Sequence, residues 1–183
     1  LARHAAFRGV RATAENEPDP DWLVRPEVVR GIAAVAERGL TLDLLVRVEH
    51  LPHVPRLAER FPDLTMVVDH LAKPPIASGD LARWRERMAA LVPYSNVWCK
   101  LSGLLTEAGP NPTAESLRPV VEFALERFGP ARLLWGSDWP VATLAADYRT
   151  TFGVYQELTA GLREAERAAI FGGNAARVYR LAG

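Results

Sequence analysis

Short apolar runs alternate along this chain with longer stretches of helical periodicity. "FRGVRA" (7–12), "TLDLLV" (41–46), "LTMVVDH" (64–70), "NVWCKLSG" (96–103) and "RLLWGSD" (132–138) read as strands. After a polar, Pro-rich loop from Glu15 to Asp21, "RPEVVRGIAAVAERG" reads as a helix, with Pro26 suited to its first turn and Gly39 to its end. "PHVPRLAERF" (52–61) reads as a short helix. "DLARWRERMAALV" puts Leu81, Trp84, Met88 and Leu91 on one face, with Asp80 as N-cap. "SLRPVVEFALERFG" is a helix capped by Ser116 and closed by Gly129. From about Leu144 the pattern is helical, with Gly172-Gly173-Asn174 read as a break before "AARVYRL".

Strand–helix alternation predicts an α/β fold, a parallel sheet with helices outside it. The strands are apolar on both faces, as covered parallel strands are. Their spacing of about 31 residues matches one βα unit of a (β/α)8 TIM barrel. Five strands do not close such a barrel, and roughly three more units at that spacing would be needed. The expectation is a partial (β/α)8 barrel whose missing length precedes Leu1, which is read as an internal point of a longer protein. An open doubly wound sheet is the alternative, though no Gly-rich phosphate loop follows the first strand.

Composition adds exclusions. The 183 residues are 49% hydrophobic and 24% charged, enough for one sizeable core. Lys+Arg and Asp+Glu are both 22, so no basic footprint for nucleic acid is present. No apolar run approaches the ~20 residues of a membrane span. The one cysteine, Cys99, makes no internal disulfide and suits a reducing, cytoplasmic setting.

Candidate chemistry sits at the strand ends, where parallel α/β folds place it. Arg11, Asp69-His70, Lys100 with Ser102, and Ser137-Asp138 all fall there. Period-2 alternation puts Asp138 on a face with Leu134, His70 with Val68 and Met66, and Lys100 and Ser102 with Trp98. A carboxylate there can serve as a general base or metal ligand, and an imidazole can ligate a metal or bind a substrate oxygen. Arg and Lys can hold a carboxylate or an oxyanion. Each has a structural alternative: Asp138 as a turn residue, His70 as a loop histidine beside a salt-bridging Asp69, Lys100 at the rim, Arg11 paired with Glu15 or Glu17. His50 and His53 form a His-x-x-His that is common by chance. Cys99, Trp84 and Met88 are core residues, and Ser102-Gly103 lacks a nucleophile-elbow context.

"VVDHLAKPPI" (67–76), "VWCKLSGL" (97–104), "LLWGSDWPV" (133–141) and "IFGGNAARVYRL" (170–181) occur in this order. Together they resemble the amidohydrolase-related family of the amidohydrolase superfamily, in its sugar-lactonase branch, over nearly all of 7–181. The resemblance implies that residues 1–183 are a single domain carrying roughly barrel strands 4 to 8, without the first three βα units. It implies a hydrolase that opens a small sugar-acid lactone, with a small-molecule substrate and no nucleic-acid or membrane partner. Asp138 then takes a proton from the attacking water, and His70 binds the substrate carbonyl. Either residue is also a candidate ligand for one divalent cation, zinc first among them. Arg11, Lys100 and Trp139 are the expected substrate contacts. Ala12 stands where relatives often carry histidine, and the His-x-His that opens the family's first strand does not occur in these 183 residues. The segment alone is therefore expected to be inactive. A non-catalytic half-barrel remnant and a decarboxylase of the same superfamily are the competing readings.

Overall fold

The structure, a computed structural model, describes His4 and residues 6–181. Strands β1 (Gly9–Thr13), β2 (Thr41–Leu45), β3 (Met66–Val68), β4 (Val97–Leu101) and β5 (Leu133–Trp135) form one parallel sheet in chain order. Helices fill each crossover: α1 (Pro26–Glu37), α2 (Val54–Arg60), α3 (Ala82–Ala89) and α4 (Ala114–Phe128). After β5 come α5 (Tyr148–Leu158), α6 (Glu164–Ala168) and α7 (Asn174–Val178). Among the described residues, no helix is long and apolar enough to cross a membrane.

The two faces of the sheet are unequal. Leu42, Leu44, Met66, Val68, Val97, Cys99, Leu101 and Leu133 point to the helices and form the main core with residues such as Ile32, Leu57, Trp84 and Val121. Each such side chain contributes about 1.5–3 kcal/mol on full burial. Trp84 is fully buried, tilts against Phe123 at 4.9 Å, and donates its indole N–H to the Leu71 carbonyl at 2.7 Å. Trp135 at the end of β5 packs edge-on against Phe152 at 5.2 Å, under α5.

The opposite face carries a small apolar group, Val67 and Leu134 with Trp98, closed by Val178 and Tyr179 from the C-terminal segment. The register places Arg11 beside Asp43, Asp43 beside Val67, Val67 beside Trp98, and Lys100 beside Leu134. The charged strand residues therefore share this second face. Thr41 Oγ1 donates to the Val178 carbonyl at 2.9 Å, which ties α7 to the start of β2.

Several elements depart from the sequence reading. β1 runs to Thr13, so Arg11 lies within the strand. β3 stops at Val68, because the chain turns left-handed from His70 onward. β5 likewise stops at Trp135, short of Asp138. The cap of α4 is Thr113, whose side chain accepts from the Ser116 N–H, while the Ser116 hydroxyl accepts from the Thr113 N–H. This reciprocal pair starts the helix three residues before the expected place. Asp80 precedes α3 by one residue more than a cap does, and its carboxylate receives the Ala82 N–H at 3.4 Å. Gly172-Gly173 does not break the C-terminal helix. A wide π-turn over Ala169–Gly173 joins α6 to α7.

Candidate active site

The segment after β3 builds the site. His70, Leu71, Ala72 and Lys73 all have φ between 50° and 59°. For L-residues this conformation costs roughly 1–2 kcal/mol each, so it persists only where surroundings impose it. Leu71 and Ala72 are fully buried, and the Leu71 carbonyl takes the Trp84 indole bond. Lys73 is clamped by Glu15 at 2.6 Å and Glu107 at 3.3 Å. These contacts hold the left-handed run.

The run corrects the expected face of His70. Met66 and Val68 belong to the helix-side core, yet His70 is swung away from them. Its Nδ1 lies 2.7 Å from Ser102 Oγ, and its Nε2 lies 3.4 Å from Asp138 Oδ1. Asp138 itself has φ 55°. Gly103 makes their approach possible. A Cβ there would sit 2.7 Å from the His70 ring and 3.0 Å from Asp138 Oδ2, and its φ of +61° suits glycine. Burial raises Asp138 above the usual carboxylate value, and the Asp69 carboxylate adds to this, while His70, Lys73 and Arg11 oppose it. The result is a carboxylate that holds a proton more readily than a surface aspartate does.

Beside this pair lies a charge cluster. Lys100 Nζ is 2.7 Å from Asp43 Oδ2 and 2.7 Å from Asp69 Oδ1. Arg11 reaches Asp69 Oδ2 at 3.7 Å. The Tyr179 hydroxyl donates to Asp43 Oδ1 at 2.7 Å. Asp69 is fully buried and makes no well-aligned hydrogen bond among the described residues, so its stabilisation is by charge alone. Burial disfavours the Lys100 ammonium, but Asp69 and Asp43 outweigh it and push Lys100 well above its ordinary value. Burial, aided by Asp69, raises Asp43 despite Lys100.

The structure thus brings together His70, Asp138, Lys100 and Arg11 on one edge. Arg11 pairs with Asp69 and not with Glu15 or Glu17. Its side chain stays half exposed. Trp139 is 69% exposed beside Asp138. His50 and His53 are buried and separately engaged: His50 Nδ1 accepts from the Arg47 N–H, and His53 Nε2 meets Asp21 at 2.8 Å. Cys99 is a buried core residue whose thiol burial pushes upward. Asp43 and Tyr179 escaped sequence reading. A charge inside the apolar "TLDLLV" was the available signal for Asp43, and Tyr179 carried none.

His70 Nε2 and Asp138 Oδ1 are the available metal donors at this point. A catalytic zinc takes roughly three protein ligands and a water. Among the described residues, no group of three or more His, Cys, Asp or Glu is arranged to hold a metal. The pair alone does not make a zinc site.

Comparison with known proteins gives a consistent picture. A family model described as Amidohydrolase matches residues 1–181. The chain is 42% identical to an L-fucono-1,5-lactonase of Burkholderia ambifaria, covering 99% of this chain and 64% of that protein. It is 43% identical to an L-fucono-1,5-lactonase of Burkholderia multivorans over 63% of this chain and 43% of that one. A crystal structure of an amidohydrolase from Burkholderia multivorans with bound zinc superposes with TM-score 0.90 at 36% identity, over 96% of this chain and 65% of the other. The chain therefore spans under two thirds of the length of these relatives. It belongs to the amidohydrolase family, on the branch that holds these sugar lactonases.

Proposed function

We propose that this chain is the part of a (β/α)8 barrel that carries roughly strands 4 to 8, as one domain over 1–183 without the first three βα units. The protein containing it hydrolyses a small sugar-acid lactone. Support comes from the lactonases it resembles and from an open sheet whose charged residues gather on one face. The observation that carries the reading is the pairing of His70 Nε2 with Asp138 Oδ1 at 3.4 Å across Gly103.

In this reaction Asp138 takes a proton from water as the water oxygen bonds to the lactone carbonyl carbon. Its raised proton affinity suits that task. The His70 Nε2–H donates to the carbonyl oxygen, and the exposed end of Arg11 faces the developing oxyanion. When the tetrahedral intermediate collapses, the ring C–O bond breaks and Asp138 returns the proton to the leaving alkoxide. Lys100 and Trp139 are further substrate contacts in this proposal, Lys100 at the inner wall and Trp139 at the outer. Support for a divalent cation is the zinc in the relative's crystal structure. His70 and Asp138 form an incomplete donor set here, and no step above depends on a metal. A cytoplasmic location fits the lone, buried Cys99.

The test is proton release from a sugar-acid 1,5-lactone by the longest protein the gene encodes. Asp138→Asn is expected to lower kcat about 10²–10⁴-fold, the usual contribution of a general base. Unchanged turnover would remove Asp138 from this role. Residues 1–183 alone are expected to show no rate above buffer.

A further inference from the structure

His70 touches two groups of different chemistry. Asp138 Oδ1 lies 3.4 Å from Nε2, and Ser102 Oγ lies 2.7 Å from Nδ1. A neutral imidazole has one donor and one acceptor nitrogen, an ionised carboxylate only accepts, and a hydroxyl does either. The carboxylate therefore selects Nε2 as the protonated nitrogen. Nδ1 must then accept, and Ser102 is the group in place to donate to it. Ser102 is 1% exposed, so water does not compete for this bond and a substrate atom does not reach its oxygen. That burial also removes Ser102 from consideration as a nucleophile. Its position is fixed from behind, because it follows β4 directly, and a Cβ added at Gly136 would meet its Cβ at 3.4 Å.

We propose that Ser102 is the positioning residue for His70: its hydroxyl donates to Nδ1 and holds the ring so that the Nε2–H, selected by the carboxylate, is aimed at Asp138 and the site mouth. The inference rests on His70 and Asp138 being the working pair, and it deepens that reading. The reaction needs the Nε2–H form, because only that form offers a donor to the lactone carbonyl. The opposite tautomer would present a lone pair to Asp138 and repel it. Ser102 thus acts on the reaction through His70, without touching substrate.

Imidazole ¹⁵N–¹H correlation spectra of the labelled 183-residue chain at pH 8 with EDTA test this directly. The His70 signals are identified by their loss in His70→Asn. In the parent chain, His70 is expected as the Nε2–H tautomer, with Nδ1 at the shift of an unprotonated nitrogen. In Ser102→Ala the Nε2–H tautomer is expected to persist while the Nδ1 signal shifts with the loss of its hydrogen bond and the Nε2–H signal broadens, and Ser102→Thr, which keeps the hydroxyl, is expected to retain the parent pattern. A parent ring in the Nδ1–H or doubly protonated form overturns the proposal, and so does a Ser102→Ala spectrum identical to the parent's. Should Ser102→Ala fail to fold, Ser102→Cys, whose thiol is only a weak donor, takes its place with the same expected change. These spectra require no turnover. Missing lactone hydrolysis would overturn the proposed function without altering the tautomer result.

Discussion

Gly103 shows how much of the site depends on one absent side chain. The His70 ring and the Asp138 carboxylate occupy the space where its Cβ would stand. Gly103→Ala is expected to lower stability by at least about 1–2 kcal/mol from the left-handed backbone alone. The displaced His70 ring adds to this loss. Urea denaturation measures it, and an unchanged midpoint would contradict both the backbone and the ring argument. In the sequence, "LSGL" offered a glycine but no reason for it. The reason lies in His70 and Asp138, which come from other strands.

Among the elements, the left-handed run from His70 to Lys73 is the one most dependent on its neighbours. Its own residues oppose the conformation, since none is glycine. α3 supplies the main brace through the Trp84 indole bond to the Leu71 carbonyl. Trp84→Phe keeps most of the apolar volume and removes that donor. It is expected to cost about 1–3 kcal/mol, because a buried carbonyl is left unpaired. Amide exchange in residues 70–73 should rise more than elsewhere, and uniform exchange across the chain would contradict the brace. The helical period had already put Trp84 in the core. Its polar atom's target was not readable, because periodicity reports which face is buried and not which carbonyl a side chain meets. The same limit explains His70. Alternation holds only while the backbone stays extended, and it failed where φ changed sign.

Across the whole molecule, the cluster of Asp43, Lys100, Asp69, Arg11 and Tyr179 joins three strands and the turn after β3 to the C-terminal segment. Asp43 has a proton affinity raised above that of an unfolded aspartate, whose value is near 3.8. Protonated Asp43 therefore favours the fold. That contribution is complete below pH 3.8 and is lost as pH rises through the folded-state value. Asp43→Asn lacks this loss, so its Tm relative to the parent should become more favourable from pH 3.5 to pH 7. A Tm difference constant over that range would contradict the burial argument. The Asn side chain can still accept the Tyr179 hydroxyl, which keeps the comparison to one charge.

The sequence by itself determined the parallel α/β class, the apolar core, the position of Lys100 near the end of its strand and that of Asp138 just beyond the last one. These follow from local period and from the rule that covered strands are apolar on both faces. The four ordered motifs, on the last three strands and the C-terminal segment, also carried the family. Only the tertiary structure decided that His70 turns onto Ser102 and Asp138, that Asp69 and Asp43 share Lys100, and that Tyr179 reaches back to β2. Those contacts join residues far apart in the chain. Their geometry is set by what packs behind each strand end, which no local pattern encodes.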